Sequence, residues 1–416
     1  MRCSVTWRRL LRSAEANRGE GPAAESRIST VLIFFLGCFL FFSTFSIAGT
    51  QISLTLAVLA WVILAAFGRS PRPSRTLIDI PILLFVLSVL LSVVFSDERM
   101  ASLLNLKNLP LVVIIYLFGF LVRDPRDARG LFIVLLVSGA ASSLFGIAIF
   151  FLGRGGGFMG RTPGSFSTAM TFGGITLLLC SLFSALAAGR GIGRRMRLAC
   201  LGAAAASLTA LFLTFTRSSW LGMFVSLIAI LAVLRKRFLI PFLAAVVIFV
   251  VLLPKPYRDR VTSIWDLQHR TTVQRIEMIR GGWSIFKEHP VFGVGTMDLA
   301  PLYERHKPPE AVHVHGHMHN IFVQVAVTTG AVGLAAFCYL LISFFRLLAG
   351  NLGAGLPPPL RAWTAGSIGA LAGFVTNGLF EWNFGDAEVV MMLYFIIGSN
   401  LALFLHRRAF ENADGT

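Results

Sequence analysis

The chain has 416 residues, of which 56% are hydrophobic and only 14% are charged, and its mean hydropathy is +0.75. This composition is too apolar for a soluble domain, so it excludes soluble enzymes and soluble nucleic-acid-binding proteins. The formal net charge of +17 therefore has to be sorted by the side of the membrane on which the basic residues lie.

Apolar segments recur along the whole chain. A helix that spans a bilayer needs roughly 20 apolar residues, and the apolar content suffices for about twelve such helices. We therefore predict an all-α polytopic membrane protein with about twelve transmembrane helices. The predicted spans lie near 29–48, 51–68, 77–95, 110–122, 131–152, 168–188, 198–215, 219–234, 238–253, 321–345, 362–380 and 387–405.

The basic residues predict the orientation, because Lys and Arg accumulate in cytoplasmic loops. They concentrate in the two tails and in the even-numbered connections, which places both termini in the cytoplasm. The predicted organisation is a basic tail (1–28), nine helices (29–253), one long periplasmic loop (254–319), three helices (320–405) and a second tail (406–416). The long loop holds seven of the eight histidines, so function is expected there.

The long loop contains one predicted helix. Its first part, KPYRDRVTSIWDLQHRTT, has no clear period and is predicted to be irregular. The following TTVQRIEMIRGGWSIFKEH has apolar residues at helical spacing and predicts an amphipathic helix that ends at His289 and Pro290, before the glycine turn VFGVG. The apolar residues at this spacing are Val273, Ile276, Ile279, Trp283 and Phe286.

The loop ends in HVHGHMHN, in which His313, His315, His317 and His319 alternate. In an extended strand all four would share one face, and imidazole is a common zinc ligand. Neither a cysteine nor a recognised spacing to Glu310 accompanies them, so we predict no metal site. Most of these rings are expected to be polar residues at the membrane interface.

His319 and Asn320 are followed by nine residues, then Gly330, two residues and Gly333. This spacing resembles the signature of the lipopolysaccharide O-antigen ligase family (WaaL), part of a wider group that includes O-antigen polymerases and some protein O-oligosaccharyltransferases. Three other pieces agree in order: RTPGSF, LTFTRSSWLG and RIEMIRGGWSIFKEHPVFGVG. The resemblance is specific from about 200 to 335, and elsewhere it rests mainly on hydropathy and loop placement.

The resemblance implies a glycosyltransferase that uses neither a metal nor another cofactor, in the inner membrane of a Gram-negative bacterium, with its active site facing the periplasm. The implied donor is O-antigen linked to undecaprenyl diphosphate, and the implied acceptor is lipid A-core oligosaccharide. Membrane lipids are further expected partners, and nucleic acid is not. The family's catalytic histidine corresponds to His319, with His317 as a second candidate.

The chemistry of the residues is compatible with this assignment. A sugar hydroxyl is a poor nucleophile, and a neutral imidazole with an ordinary pKa of about 6.5 suits a general base. Asn320 is predicted to orient the His319 ring, to bind the incoming sugar or to cap the next helix. Gly330 and Gly333 are predicted to allow close helix packing.

A diphosphate leaving group needs guanidinium groups or helix N-termini when no metal is present. Arg217 lies in a short connection in which Ser218 or Ser219 can cap the next helix. Arg161 lies in a glycine-rich connection, and Arg275 occupies the position of the family's arginine in the loop helix. These three arginines are the predicted donor-binding residues.

Arg280 is an auxiliary candidate, about 140° from Arg275 around the loop helix, and Glu277 is its predicted ion-pair partner. Glu381 and Asp386, at the outer end of the eleventh span, are left open as an auxiliary base or a substrate contact.

The alternatives are a polymerase or protein O-oligosaccharyltransferase of the same group, and a non-enzymatic glycolipid transporter. A transporter is expected to have broken spans and midplane charges in both halves, whereas here the polar signal is concentrated in one loop.

Overall fold

The computed structural model describes residues 23–67, 74–153, 160–263, 266–353 and 355–407. Within these ranges all regular secondary structure is helical, which confirms the predicted all-α membrane fold. Most of the first predicted tail and most of the second lie outside the described residues.

Every predicted span contains a helix. The first six are α1 (Ala23–Phe42), α2 (Ile47–Ala66), α3 (Asp79–Val94), the pair α4 (Arg99–Leu104) and α5 (Val113–Leu121), α6 (Pro125–Phe151) and α7 (Ala169–Ala188). The second six are α8 (Arg194–Leu213), α9 (Arg217–Leu234), α10 (Leu239–Leu252), α14 (Ile321–Gly353), α15 (Pro358–Gly378) and α16 (Ala387–Leu405). The long loop contributes α11 (Lys255–Thr262), α12 (Arg270–Glu288) and α13 (Ala300–His306).

In the described part of the chain, eight helical segments are long and apolar enough to cross a membrane, and two shorter apolar helices, Thr30–Phe42 and Asp79–Val94, accompany them. At the predicted fourth span, 110–122, the observed helical segment begins earlier in the chain than the hydropathy indicates. The predicted span corresponds to the last part of a longer helical segment, Arg99–Leu121. The middle part of this segment is a 3-10 helix that contains Pro110. Proline removes a helical hydrogen bond there, and the apolar character starts only beyond it.

The centre of the bundle is formed by α7 and α16, most of whose residues are buried. Helices α9 and α15 cross at two glycines. A Cβ on Gly222 would lie 2.6 Å from the Gly373 carbonyl oxygen, and one on Gly373 would lie 2.8 Å from that of Gly222. Such close crossings by small residues are typical of membrane helices. This crossing brings the start of α9 near the end of α15.

The long loop is more helical than predicted, because α11 occupies the part expected to be irregular. The amphipathic helix is confirmed as α12, and the residues at its apolar spacing are not the ones that it buries. Its buried residues are Met278, Gly281, Gly282 and Ile285, whereas Trp283 is 59% exposed. The glycines let Tyr303 and Val323 approach within 3 Å of where a Cβ would be. The side of α12 that carries the glycines therefore packs against the protein, whereas Ile276, Ile279 and Trp283 are exposed.

Gly330 interrupts the regular helical backbone of α14. This interruption is the structural reason for a glycine at this position of the motif. The φ of Gly330 is 67°, inside a helix that continues on both sides. The VFGVG turn docks against this break, since the Val294 and Gly295 N–H groups donate to the Val327 and Thr328 carbonyls at 3.0 Å. The long loop is thereby fastened by backbone hydrogen bonds to the helix that follows His319.

We expect Gly330→Ala to destabilise the protein. A left-handed φ costs a residue with a Cβ about 1–3 kcal/mol, and the added methyl would lie 2.1 Å from the Val291 carbonyl oxygen. Thermal unfolding in detergent should show a lower Tm. Gly350→Ala, in the same helix but with open space around its Cβ, is the matched control, and equal Tm values for the two variants would contradict this explanation.

Candidate active site

Asn320 fixes the start of α14 directly after His319. Its side-chain oxygen accepts hydrogen bonds from the N–H groups of Phe322 (2.9 Å) and Val323 (3.0 Å). Its amide donates to the Leu379 carbonyl at 2.9 Å. Asn320 is therefore the helix cap and also connects α14 to the end of α15. The chain reaches this cap through His319, which has a φ of 44°.

His319 is hydrogen-bonded to Glu381. Its Nδ1 lies 2.7 Å from the Glu381 Oε1, and the Glu381 side chain is nearly buried. Burial raises the pKa of Glu381, but the hydrogen bond and charge of His319, with the charge of Arg275, outweigh it and hold that pKa below its usual value. An ionised carboxylate only accepts hydrogen bonds, so Nδ1 carries the proton of this hydrogen bond.

The His317 ring lies beside the His319 ring, with 4.1 Å between their centroids. Burial, followed by the charge of His319, lowers the pKa of His317 to about 4. The ring is therefore neutral at physiological pH. Within the described structure, the His317 Nδ1 and the Glu381 Oε2 are buried without hydrogen-bond partners.

The four alternating histidines do not form one ligand face. His313 is exposed and lies 3.0 Å from an Arg270 nitrogen. In the described part of the chain, the possible metal-binding group is His317, His319 and Glu381, whose ligand atoms lie within 4.8 Å of one another. These three residues could hold an ion, although the carboxylate already accepts from His319.

Arg161 and Arg217 are held by the ends of the membrane helices. Arg161 donates from Nε to the Thr214 carbonyl and from Nη2 to the Thr216 hydroxyl, both at 2.8 Å. Arg217 is the first residue of α9 and is buried. Its guanidinium donates to the Ser263 hydroxyl at 2.9 Å and to the Thr271 hydroxyl at 2.5 Å, which connects the bundle to the end of α11 and the start of α12.

A fourth arginine, Arg260 on α11, joins this group and was missed by the sequence analysis. It donates to the Phe215 carbonyl at 3.2 Å, where Phe215 has a left-handed φ of 51°. Its partner lies 45 residues earlier in the chain, and no local pattern marks such a contact.

The four arginines, Arg161, Arg217, Arg260 and Arg275, make the site strongly positive. Burial first, and then the charges of Arg260 and Arg275, lower the pKa of Arg161. Burial likewise lowers the pKa of Arg275, and the charge of Glu381 opposes this. Guanidinium groups stay protonated in proteins. In the described structure, the carboxylates that act on these arginines are Glu381 and Asp266, so positive charge is in excess and an anionic ligand is favoured.

Arg280 and Asp386 lie outside this arrangement. Arg280 is exposed and pairs with Glu310 at 3.2 Å, so the predicted pairing with Glu277 is wrong; the bend of the chain after α13 brings Glu310 to α12. Asp386 accepts a hydrogen bond from the Thr171 hydroxyl at 2.6 Å. Of the two acidic residues left open from the sequence, Glu381 is the one that contacts His319.

Residues 202–338 match a family described as O-antigen ligase. The match includes His317, His319 and the arginines of α9, α11 and α12, whereas Arg161 and Glu381 lie beyond its ends. It confirms the expected similarity to the O-antigen ligase superfamily. No curated protein shows significant sequence similarity to the chain.

Proposed function

Because residues 202–338 match the O-antigen ligase family, we propose that the protein transfers O-antigen polysaccharide from undecaprenyl diphosphate to a sugar hydroxyl of lipid A-core. The reaction takes place at the periplasmic face of the inner membrane of a Gram-negative bacterium and needs no metal or other cofactor. The observation that carries the proposal is the His319–Glu381 hydrogen bond of 2.7 Å beside a group of four arginines.

In this proposal His319 is the general base and Glu381 is its positioning residue. Glu381 accepts the Nδ1–H, which leaves Nε2 to take the proton of the acceptor hydroxyl while the oxygen bonds to the anomeric carbon. The imidazolium that forms is stabilised by the Glu381 carboxylate. General base catalysis of this kind contributes roughly 10²–10⁴-fold in rate.

The arginines act on the leaving group. As the bond between the anomeric carbon and the phosphate oxygen breaks, its electron pair moves to the diphosphate, and fixed guanidinium groups stabilise that charge. Arg161, Arg217 and Arg275 are the proposed donor-binding residues, with Arg260 added. Attack on the side opposite the diphosphate gives a product with inverted anomeric configuration.

The outward side of α12 suits a lipid-linked substrate. Ile276, Ile279 and Trp283 are exposed on this helix, as in helices that lie along a membrane surface. The same helix carries Arg275, whose charge interacts with that of Glu381 in the candidate site. If α12 lies along the membrane surface, Arg275 is held at the level of the lipid headgroups. The diphosphate of a donor would lie at this level while its polyprenyl chain stays in the bilayer.

The test is ligation in vitro with purified full-length protein, undecaprenyl-diphosphate-linked glycan and lipid A-core, with EDTA present throughout. We expect glycan-bearing lipid A-core with an inverted linkage by NMR. A lengthened lipid-linked glycan would identify a polymerase, and movement of labelled lipid without product would identify a transporter. Activity that EDTA abolishes and a divalent ion restores would contradict the metal-independent mechanism and point to His317, His319 and Glu381 as ligands.

We expect Arg275→Ala to lower kcat/KM by about 10²–10³, the usual effect of losing one group that stabilises charge in the transition state. Arg280→Ala is the matched control, because Arg280 lies on the same helix but is exposed and paired with Glu310. Steady-state kinetics of both variants provide the measurement. Equal losses in the two variants would show that α12 contributes only general positive charge.

A further inference from the structure

A cavity lies far from the arginine group. It has a volume of about 570 Å³ and is lined by the starts of α6, α8 and α15 and by residues toward the ends of α5, α7 and α16. The active-site residues lie at the opposite ends of these helices. For α8, the cavity is at Arg194, whereas Thr214, just beyond its last residue, accepts the hydrogen bond from Arg161. A helix of 20 residues spans about 30 Å, so the two sites lie near opposite faces of the membrane.

The walls of this cavity are apolar. They include Phe118, Leu131 and Phe395, together with Trp363. The polar atom of Trp363 is already satisfied, because its ring N–H donates to the Ser399 hydroxyl at 3.0 Å. Such walls favour hydrocarbon over water.

The charged groups that line the cavity are all positive. They are Arg129, Arg194 and Arg195, and no Asp or Glu is among the described residues of the lining. Arg194 and Arg195 are exposed, so their charges lie at the edge of the cavity and not in its depth. The start of α8 adds partial charge of the same sign, since its cap residue Gly193 offers no side chain to the first N–H groups.

We propose that this cavity binds an anionic glycerophospholipid of the surrounding bilayer. An acyl chain lies against the apolar walls, and the phosphate headgroup lies between Arg194 and Arg195. Guanidinium groups bind phosphate through paired hydrogen bonds, and a phospholipid combines such a headgroup with a hydrocarbon chain. This site is separate from glycan transfer and does not depend on the proposed function.

The test is native mass spectrometry of the full-length protein in detergent, titrated with phosphatidylglycerol or with phosphatidylethanolamine of the same acyl chains. We expect tighter binding of phosphatidylglycerol. Each basic residue near an anionic lipid contributes about fivefold in binding, so the double variant Arg194→Ala/Arg195→Ala should bind phosphatidylglycerol roughly 25-fold more weakly. Phosphatidylethanolamine should lose less, because its ammonium group offsets the charge of the phosphate that the arginines contact.

Two further variants separate the cavity from general charge. Lys236→Ala/Arg237→Ala removes two basic residues that do not line the cavity and should keep wild-type lipid binding. Ala128→Phe places a ring in the cavity and should weaken both lipids, with an unchanged Tm as the check on folding. Equal binding of the two lipids by the wild type, or equal losses in the two double variants, would overturn the proposal.

Discussion

We expect His319→Ala to abolish detectable glycan transfer while its Tm stays close to that of the wild type. The variant loses the proposed base and its 2.7 Å hydrogen bond to Glu381, whose Oε1 still accepts from the Trp382 N–H. Loss of a general base lowers the rate by about 10²–10⁴-fold, which would take a slow glycosyl transfer below detection. The measurement is product formation by gel and mass spectrometry, with donor and acceptor at saturation.

The neighbouring histidines provide controls for this variant. His313→Ala should be nearly fully active, because His313 is exposed and contacts Arg270. His317→Ala should be slower but measurable, since that ring packs 4.1 Å from His319 and offers a free nitrogen. If His319→Ala is active and His317→Ala is not, the roles of the two rings are reversed.

The helical fold follows from the sequence because each apolar segment carries its own signal. Predicted spans such as 168–188 and 387–405 agree with α7 and α16 within a few residues. The loop was less predictable. The apolar residues of α12 correctly indicated a helix, but periodicity does not distinguish an apolar side that faces protein from one that faces lipid. The side of α12 that packs against the protein contains Gly281 and Gly282. A hydrophobicity pattern does not identify glycines as buried, so this side could not be predicted from the sequence.

The site was predictable to the extent that it lies within one motif. His319 and the arginines of α9 and α12 came from residues close together in the sequence or from the family resemblance. Glu381 was named only as one of two open candidates, because its partner lies 62 residues away. Such contacts depend on how α14 and α15 meet, and here Asn320 provides that connection through Leu379.

Glu381→Gln is expected to lower kcat by up to about 10⁴-fold with a smaller change in KM, the size of the loss when a carboxylate that orients a catalytic imidazole becomes an amide. Glutamine can still accept from Nδ1–H, but it can also donate and so favour the wrong tautomer. It also removes the negative charge that stabilises the imidazolium. Glu310→Gln, which removes an exposed carboxylate paired with Arg280, is the control and should be nearly neutral.

The pH profile distinguishes this positioning role from a merely structural one. The pKa of Glu381 lies below its usual value because of His319 and Arg275, so the carboxylate stays ionised while activity falls on the acid side. That fall reports protonation of the base in the free enzyme. Without the negative charge, protonation of the base becomes less favourable, so the acid limb of kcat/KM in Glu381→Gln should move to lower pH. A variant that loses activity equally at every pH, with the acid limb in its wild-type position, would argue for a structural role alone.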